Sequence, residues 1–425
     1  MTGASNAHEI AAIDPSPARG IRRVGGGPSS QPGDDWRRRP FTLVRHLPGA
    51  TFLKGLARIM RIAQIAPLHE SCPPRLYGGT ERVVSYLTEE LVRLGHEVTL
   101  FASGDSRTAA TLEAGSEIAL RLDNRCKDPL IYHLIMLDRL RRRADEFDIL
   151  HFHTDYLHFP LFADRWENTL TTLHGRLDLP DLPVMMREYG MMPLVSISDA
   201  QQAPMPWANW YRTVQHGLPR DLHRLGNGSG GYLGFLGRIS PEKAPDRAIE
   251  IARRAGLPLR IAAKVDAVDQ EYYDSKIVPL LRDPSIEFIG EIGEADKGPF
   301  LGNALALLFP IAWPEPFGMV LIEAMANGTP VIAFGRGSVP EIIEDGVTGF
   351  IVDDVESAAA AVPLALRLDR KAIRRRFEER FTAERMAKDY LALYVRVLSG
   401  QSVRRPTPLR LVASATGRAA QEAAD

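Results

Sequence analysis

Short apolar runs alternate with longer amphipathic segments over most of the chain. In the first half, this pattern predicts strands at residues 61–66, 97–102, 148–153, 169–174 and 193–198. In the second half, it predicts strands at residues 232–236, 259–263, 286–289, 306–309, 330–334 and 349–352. Such alternation is typical of βαβ units, in which helices cover both faces of a parallel sheet.

The clearest helical pattern follows the first strand. Apolar residues recur at helical spacing between residues 83 and 94. Thr80 is predicted to cap this helix at its start, and Gly95 is predicted to end it.

A glycine-rich segment separates the two runs of strands. Residues 226–231 read Gly-Asn-Gly-Ser-Gly-Gly, which is typical of a linker. The fold class is therefore predicted to be α/β, with two Rossmann-like, doubly wound domains facing each other across a cleft. We place the amino-terminal domain at residues 60–225 and the carboxyl-terminal domain at residues 232–380.

The two ends of the chain show no sustained hydrophobic period. Residues 1–59 and 399–425 are predicted to be disordered, and the first segment is basic. Because Met60 directly precedes the first strand, residues 1–59 are either a disordered arm or an upstream extension. No segment has the pattern of a signal peptide or a membrane span, so the expected compartment is the cytoplasm.

Composition excludes several classes of protein. The 425 residues are 45% hydrophobic and 25% charged, as in an ordinary globular chain. The net charge of −1 combines +5 in residues 1–59 with −6 in the remainder. The basic arm lacks interleaved aromatic residues for base stacking, so nucleic acid is not an expected partner. Residues 36–58 combine apolar residues with arginines, which leaves attachment to the inner face of the membrane open.

Two glutamates eight residues apart form the most informative motif. Glu315 and Glu323 flank the start of a helix that we predict near Phe317. Free backbone N–H groups at Phe317, Gly318 and Met319 would then face a bound phosphate. The carboxylates could accept hydrogen bonds from sugar or ribose hydroxyls. Alternatively, Glu315 stabilises the helix dipole and Glu323 is a solvated helix residue.

Two cations follow the first strand of the second domain. Arg238 lies at the carboxyl end of that strand, and Lys243 lies at the start of the next helix. Ligands of open α/β sheets bind at that end, where two cations could neutralise a diphosphate without a metal. The chain has no Asp-x-Asp motif, so a metal-bridged nucleotide sugar is not indicated. Alternatively, both cations are exposed in a polar loop.

A Gly-Gly pair precedes the first helix. Gly78, Gly79 and Thr80 could bring backbone amides close to a phosphate or an acceptor. The segment is not Gly-x-Gly-x-x-Gly, and no acidic residue ends the second strand, so a dinucleotide site is disfavoured. A tight strand-to-helix turn would also explain the pair, and it would equally explain the glycine turn at residues 335–337.

Histidines are dense at residues 151–158, but no helix supplies matching metal ligands. We therefore predict no metal site. His153 either lines the functional site or is a structural histidine at a strand end. His174 ends a strand directly before Gly175 and is predicted to face the cleft, with a structural role as the alternative.

Together these motifs resemble those of glycosyltransferase family 4, whose members are retaining enzymes of the GT-B fold. Within that family, they resemble the bacterial glycosyl transferase group 1 type. The resemblance covers residues 60–398 and rests on the paired glutamates, the segment FLGRISPEK and the segment GSVPEII. It implies that the carboxyl-terminal domain binds a nucleotide-diphosphate sugar and that the amino-terminal domain binds the acceptor. It also implies that residues 381–398 form a helix that returns to the first domain.

The resemblance assigns roles to individual residues. It implies that Arg238 and Lys243 bind the donor diphosphate, that Glu315 binds the transferred sugar and that Glu323 binds the ribose. By the same match, His174 lies near the reacting sugar, and Gly78 and Gly79 form the loop that faces phosphate and acceptor. One departure is Ala244, where the family commonly has glycine after the lysine.

The implied function is transfer of a hexose, with glucose favoured, from a nucleotide sugar, with a UDP-sugar favoured. No cofactor is expected. The acceptor is a small molecule, a glycan or a lipid-linked sugar, and the oligomeric state is not predicted. Two alternatives stay open, namely a GT-B nucleotide-sugar epimerase and a non-catalytic sugar-binding protein.

Overall fold

The structure, a computed structural model, describes residues 59–400. The basic arm, the carboxyl-terminal tail and the membrane contact predicted at residues 36–58 lie outside this part of the chain, except for a few terminal residues. Within residues 59–400, no helix is both long and apolar enough to cross a membrane.

Seven parallel strands form the first sheet. They are β1 (Arg61–Ile65), β2 (Glu97–Ser103), β3 (Thr111–Ser116), β4 (Ile149–Phe152), β5 (Thr169–Thr172), β6 (Leu194–Ser196) and β7 (Trp210–Thr213). Their order is β3-β2-β1-β4-β5-β6-β7. The order reverses between β1 and β4, so the carboxyl ends of these two strands flank a crevice of the kind that binds ligands in α/β sheets.

Six parallel strands form the second sheet. They are β8 (Leu233–Ile239), β9 (Leu259–Val265), β10 (Ile286–Gly290), β11 (Ala306–Phe309), β12 (Val331–Phe334) and β13 (Gly349–Val352). Their order is β10-β9-β8-β11-β12-β13, with the same reversal between β8 and β11. The fold class is therefore confirmed: two parallel sheets, each covered by helices.

Within residues 59–400, twelve α-helices lie between these strands or follow the last of them. In the first half they are α1 (Gly79–Arg93), α2 (Pro129–Arg142), α3 (Phe159–Phe162) and α4 (Leu182–Glu188). In the second half they are α5 (Pro245–Ala255), α6 (Gln270–Tyr272), α7 (Glu294–Asn303), α8 (Met319–Ala326), α9 (Val339–Ile342), α10 (Val355–Ala365), α11 (Arg370–Arg380) and α12 (Ala383–Leu398).

Helices cover the second sheet on both faces. Helices α5 and α10 pack on one face, and α8 and α11 pack on the other. Successive residues of β11 point to opposite faces of the sheet. Leu308 packs on the face covered by α5 and α10, and Leu307 and Phe309 pack on the face covered by α8 and α11. This arrangement explains why β11 is apolar at every position, since a strand buried on both faces exposes no side to water.

The hydrophobic pattern of the sequence did not predict two of the strands. Strands β3 and β7 lie at the two edges of the first sheet, and both are partly exposed. An edge strand with polar residues lacks the continuous apolar run that revealed the central strands.

The start of α1 differs from the prediction, whereas its end agrees. The residue before the helix is Gly78, and Thr80 lies inside the first turn, so the prediction that Thr80 caps the helix was wrong. The chain turns at Gly78, two residues earlier than the threonine. Gly95 follows the helix with a positive φ of 89° and donates its N–H to the carbonyl of Val92, as a terminating glycine does.

The glycine-rich segment at residues 226–231 is irregular but firmly held. The N–H groups of Gly226, Gly228 and Gly230 donate to carbonyl oxygens of the second half of the chain, at 2.9 to 3.0 Å. The guanidinium of Arg370 donates to the carbonyl of Gly226 at 3.0 Å. The segment is therefore attached to the second sheet and its helices.

The last helix, α12, packs against α1 of the first half. Its buried residues include Tyr390 and Tyr394, which lie one turn apart and enter the polar network of the first sheet.

Candidate active site

A cavity of about 600 Å³ lies where the carboxyl ends of the two sheets face each other. All of the site residues predicted from the sequence line it. They are Gly78, Gly79, Thr80, His153, His174, Arg238, Lys243, Glu315, Phe317, Gly318, Met319 and Glu323. The structure thus brings together residues that are as many as 245 positions apart in the sequence. Their individual roles stay predictions.

Glu315 is buried at the centre of this cavity. Its carboxylate forms an ion pair with the ammonium of Lys243 and accepts a hydrogen bond from the indole N–H of Trp313 at 3.1 Å. The same ammonium lies 5.2 Å from the centre of the Trp313 ring, a cation–π distance. Glu315 is therefore neither solvated nor placed simply to stabilise a helix dipole.

The glycine turn at residues 335–337 supports the backbone around Glu315. The N–H of Ser338 donates to the carbonyl of Glu315 at 2.9 Å, and its hydroxyl donates to the carbonyl of Phe317 at 2.8 Å. A Cβ atom on Gly337 would collide with the Glu315 carbonyl. This turn, for which the sequence allowed a purely local role, thus fixes the segment that presents the carboxylate.

Helix α8 begins two residues later than predicted. Its first residue is Met319, and Gly318 precedes it with a positive φ of 80°, which favours glycine. The start thus lies near Phe317, as predicted, and is displaced by two residues because the chain turns at Gly318. The N–H groups free to bind a ligand at the helix start are therefore those of Met319 and Val320, since the N–H of Leu321 donates to the carbonyl of Gly318 at 2.9 Å. Phe317 is buried with its ring against His216.

Glu323 lies in the second turn of α8 and is almost fully buried. Burial alone would raise its pKa, but the ammonium of Lys297, 2.7 Å from Oε1, and the nearby His223 and Arg82 lower the pKa below its usual value. The side chain is therefore an ionised, buried acceptor. This excludes the alternative that it is a solvated helix residue.

Arg238 is surrounded by carboxylates. Its guanidinium lies 3.0 Å from Glu242, 3.5 Å from Asp266 and 3.5 Å from Asp269. Burial opposes the charged form, but Asp269 and the other acidic neighbours outweigh it and raise the pKa of Arg238. Lys264 is also paired, with Asp266 at 2.8 Å. An incoming diphosphate would therefore exchange with these carboxylates. Glu242 lies within the FLGRISPEK segment, whereas Asp266 and Asp269 follow β9 without a motif that would predict their contact with Arg238.

Ala244 occupies a position that favours glycine. It directly precedes α5 with φ 49° and ψ 56°, in the left-handed region, and it is buried. The departure noted in the sequence, alanine after Lys243, thus coincides with local backbone strain, since Cβ crowds the carbonyl in this conformation.

Replacing Ala244 with glycine is expected to raise the free energy of unfolding by up to about 1 kcal/mol, because relief of the left-handed strain exceeds the entropy cost of glycine. Urea denaturation measures this change. As a matched control in the same helix, Ala248→Gly should destabilise by about 1 kcal/mol or more, since its backbone is helical. A loss of stability in the Ala244→Gly variant would contradict the strain.

The histidines form a buried polar cluster. His174 Nε2 lies 2.8 Å from His153 Nδ1, and the ring of His174 stacks on that of His216 at 5.2 Å. His158 bonds Thr171 and stacks on Phe152. Among residues 59–400, no three His, Cys, Asp or Glu side chains are grouped so as to hold a metal ion.

The first sheet contributes further groups that the sequence did not identify. Glu81, in the first turn of α1, lines the cavity, and burial raises its pKa to about 7. Arg121 also lines the cavity and pairs with Glu70 at 3.0 Å. Glu81 directly follows the Gly-Gly-Thr segment, whereas no short motif marks Arg121. Distance in sequence separates Arg121 from the Gly-Gly loop, and only the fold brings them together.

Two family models match adjacent parts of the chain. The model of the glycosyl transferases group 1 matches residues 226–383, and the model of glycosyltransferase family 4 matches residues 77–217. The boundary between them coincides with the end of the first sheet and its following loop. All of the predicted site residues that line the cavity therefore lie within matched sequence.

Curated relatives resemble part of the chain. The D-inositol 3-phosphate glycosyltransferase of Mycolicibacterium smegmatis is 31% identical over 210 residues, which are 45% of this chain and 44% of the relative. The phosphatidyl-myo-inositol mannosyltransferase of Mycobacterium leprae is 36% identical over 92 residues, 22% of this chain and 25% of the relative. The chain thus matches less than half the length of these relatives.

Solved structures share the fold at low sequence identity. AviGT4, a glycosyltransferase involved in avilamycin A biosynthesis, has a TM-score of 0.62 at 23% identity, covering 80% of this chain and 98% of its own. Alr3699/HepE of Anabaena, in complex with UDP and glucose, has a TM-score of 0.60 at 17% identity, covering 78% and 98%. The two facing α/β units are therefore those of the GT-B fold.

Proposed function

Because the chain belongs to the glycosyltransferases of group 1 and family 4, we propose that it transfers a hexose, with glucose favoured, from a nucleotide-diphosphate sugar to an acceptor hydroxyl. The observation that carries this proposal is the convergence of two cations, two buried carboxylates and the start of α8 on one cavity. We further propose that transfer proceeds with retention at the anomeric carbon and requires no metal or other cofactor.

In the proposed reaction, negative charge develops on the departing diphosphate. Arg238, Lys243 and the free N–H groups at the start of α8 would stabilise that charge, because fixed donors in a partly dry site need little reorganisation. Lys243 would leave Glu315 to bind the diphosphate, and Glu315 would then accept hydrogen bonds from the transferred sugar. Glu323, ionised and buried, would accept hydrogen bonds from the ribose hydroxyls.

Retention follows if the acceptor attacks from the face that the diphosphate leaves. The acceptor oxygen forms a bond to the anomeric carbon, and the bond from that carbon to the phosphate oxygen breaks. The acceptor's proton passes to the departing phosphate oxygen, so no protein base is needed. Closure of the cavity around the donor would limit attack by water.

For the donor base we propose uridine, and for the acceptor a small polyhydroxylated molecule. The structures of Alr3699/HepE contain UDP and glucose or UDP-glucose, which supports the first choice. The names of the relatives, D-inositol 3-phosphate glycosyltransferases, support the second. Glycans and lipid-linked sugars, which the sequence also allows, become competing acceptors in an assay.

A thermal-shift panel tests the donor assignment. UDP and UDP-glucose are expected to raise the melting temperature by several degrees at about 100 times their Kd, more than GDP, ADP or their glucose conjugates, because a ligand of the folded state stabilises it. The shift should be the same in magnesium and in EDTA. Absence of a shift with every nucleotide would contradict the proposal. Epimerisation of UDP-glucose without acceptor would support the isomerase instead.

A further inference from the structure

A chain of hydrogen bonds leads from the cleft into the first sheet. It begins at His174, whose Nε2 lies 2.8 Å from Nδ1 of His153. His153 Nε2 lies 2.8 Å from the amide oxygen Oε1 of Gln64. The amide nitrogen of Gln64 donates to the hydroxyl of Tyr394, on α12, at 3.0 Å. The cleft is thus connected to the last helix by three hydrogen bonds.

Beyond Tyr394 the network of hydrogen bonds continues within the first sheet. The Tyr394 hydroxyl lies 2.7 Å from Nδ1 of His151, and Nε2 of His151 lies 2.7 Å from the hydroxyl of Thr172. Thr172 contacts the hydroxyl of Tyr390 at 3.0 Å. Gln64, His151, Thr172 and both tyrosines are fully buried, so water does not compete for these groups.

The three histidines of this hydrogen-bond network are neutral near pH 7. Burial lowers the pKa of His151 and His153 well below the usual value, and it lowers the pKa of His174 to about 3. A neutral imidazole carries one N–H and one bare nitrogen. Each ring therefore donates on one side and accepts on the other, and fixing one ring fixes its neighbour.

Gln64 determines which groups donate and which accept in this hydrogen-bond network. Its amide oxygen, which faces His153, can only accept, so Nε2 of His153 carries the hydrogen and Nδ1 is bare. The bare Nδ1 then accepts from Nε2–H of His174. The remaining nitrogen of His174, Nδ1, is consequently bare; it is buried from water and has no hydrogen-bond partner within residues 59–400, so a hydroxyl that reaches it would satisfy it. His174 itself lines the donor cavity.

We propose that Gln64 and Tyr394 are positioning residues for sugar transfer. Through His153 they hold His174 in the tautomer protonated at Nε2, so that its Nδ1 accepts a hydrogen bond from a hydroxyl of the transferred sugar. This inference rests on the proposed function for its ligand, but the tautomer itself does not depend on that function.

Tyr394 fixes the orientation of the Gln64 amide. The oxygen and nitrogen of an amide have nearly the same size, so packing alone does not distinguish the two orientations. The Tyr394 hydroxyl accepts from the amide nitrogen while giving its own proton to His151. Without the hydroxyl, the nearest remaining partner of the amide is Nδ1 of His151, at 3.4 Å. That nitrogen can accept or donate according to the tautomer of His151. Both orientations of the amide then become available, and the tautomer of His174 is no longer fixed.

Imidazole ¹⁵N NMR of the full chain, with His174 assigned by its loss in a His174→Asn variant, tests the tautomer directly. In the wild type we expect a protonated Nε2 and a bare Nδ1. In Tyr394→Phe we expect a mixture of both tautomers. Tyr232→Phe is the matched control, because it removes the hydroxyl of a buried tyrosine that donates to the carbonyl of Phe300 at 2.7 Å and does not contact these histidines, so His174 should be unchanged. A wild-type His174 protonated at Nδ1 would overturn the proposal.

Kinetics with UDP-glucose supply the second readout. Tyr394→Phe is expected to lower kcat/KM by up to about tenfold, which corresponds to the free energy of one hydrogen bond. Added to His174→Ala, it should cost nothing more, whereas a merely structural defect would cost the same in either background. Gln64→Met, which cuts the chain one step nearer the cleft, replaces Tyr394→Phe if that variant does not fold. If no nucleotide sugar is turned over, the proposed function fails, and the NMR result still decides the tautomer.

Discussion

Replacing Arg238 with alanine is expected to lower kcat/KM for the nucleotide sugar by about 100- to 1000-fold, the cost of removing one preorganised charge stabiliser. The guanidinium lies at the carboxyl end of β8, where the diphosphate of a donor would sit, and it is partly screened from water. Its loss also leaves Asp269 without a cation, so the site would repel the diphosphate. Steady-state kinetics with UDP-glucose measure the effect.

The matched control is Arg254→Ala, on the exposed face of α5 and outside the cavity. Its ion pair with Glu250 lies on the surface, so kcat/KM should stay within about twofold. Normal turnover by Arg238→Ala would contradict the proposed charge stabilisation. A loss shared by both variants would point to a general defect of the second domain instead.

Replacing Lys243 with methionine is expected to lower kcat/KM by about 100-fold. Methionine keeps the length and the apolar stem of the side chain but removes the charge that the diphosphate would meet. It also leaves the buried carboxylate of Glu315 without its cation, so we expect a loss of stability of a few kcal/mol as well. Kinetics and urea denaturation of the same preparation separate these two effects.

The double variant Lys243→Met/Glu315→Gln tests the second part of this prediction. Removing the orphaned charge should restore most of the stability but not the turnover, because the cation for the diphosphate is still missing. Lys276→Met, at an exposed position, should change neither quantity. If Lys243→Met kept normal turnover, Lys243 would be only the partner of Glu315.

The architecture could be predicted because each central strand is a short apolar run between recognisable helices. β11 and β13 were predicted with the bounds that the structure has, since both are flanked by clear breaks in the pattern. The edge strands β3 and β7 could not be predicted, because an exposed strand needs little apolar sequence. Their pairing is decided by the neighbouring strand, which the local sequence does not reveal.

The candidate site was predictable where its chemistry coincided with a local motif. Glu315, Glu323, Arg238 and Lys243 are marked by spacing and by their position at strand ends, and all four line the cavity. Gln64 and Tyr394 carry no such mark. A glutamine within an apolar strand and a tyrosine on an amphipathic helix acquire meaning only when the fold places them 3.0 Å apart.

The carboxylates around Arg238 also bear on which anions the cleft would bind. A single chloride or other small monoanion cannot replace Glu242, Asp266 and Asp269 together, because it brings one charge and few acceptors. A diphosphate brings several of both and can satisfy the guanidinium and the neighbouring ammonium at once. These three carboxylates would therefore select among anions: a ligand that carries several charges can displace them from Arg238, whereas a small monoanion cannot.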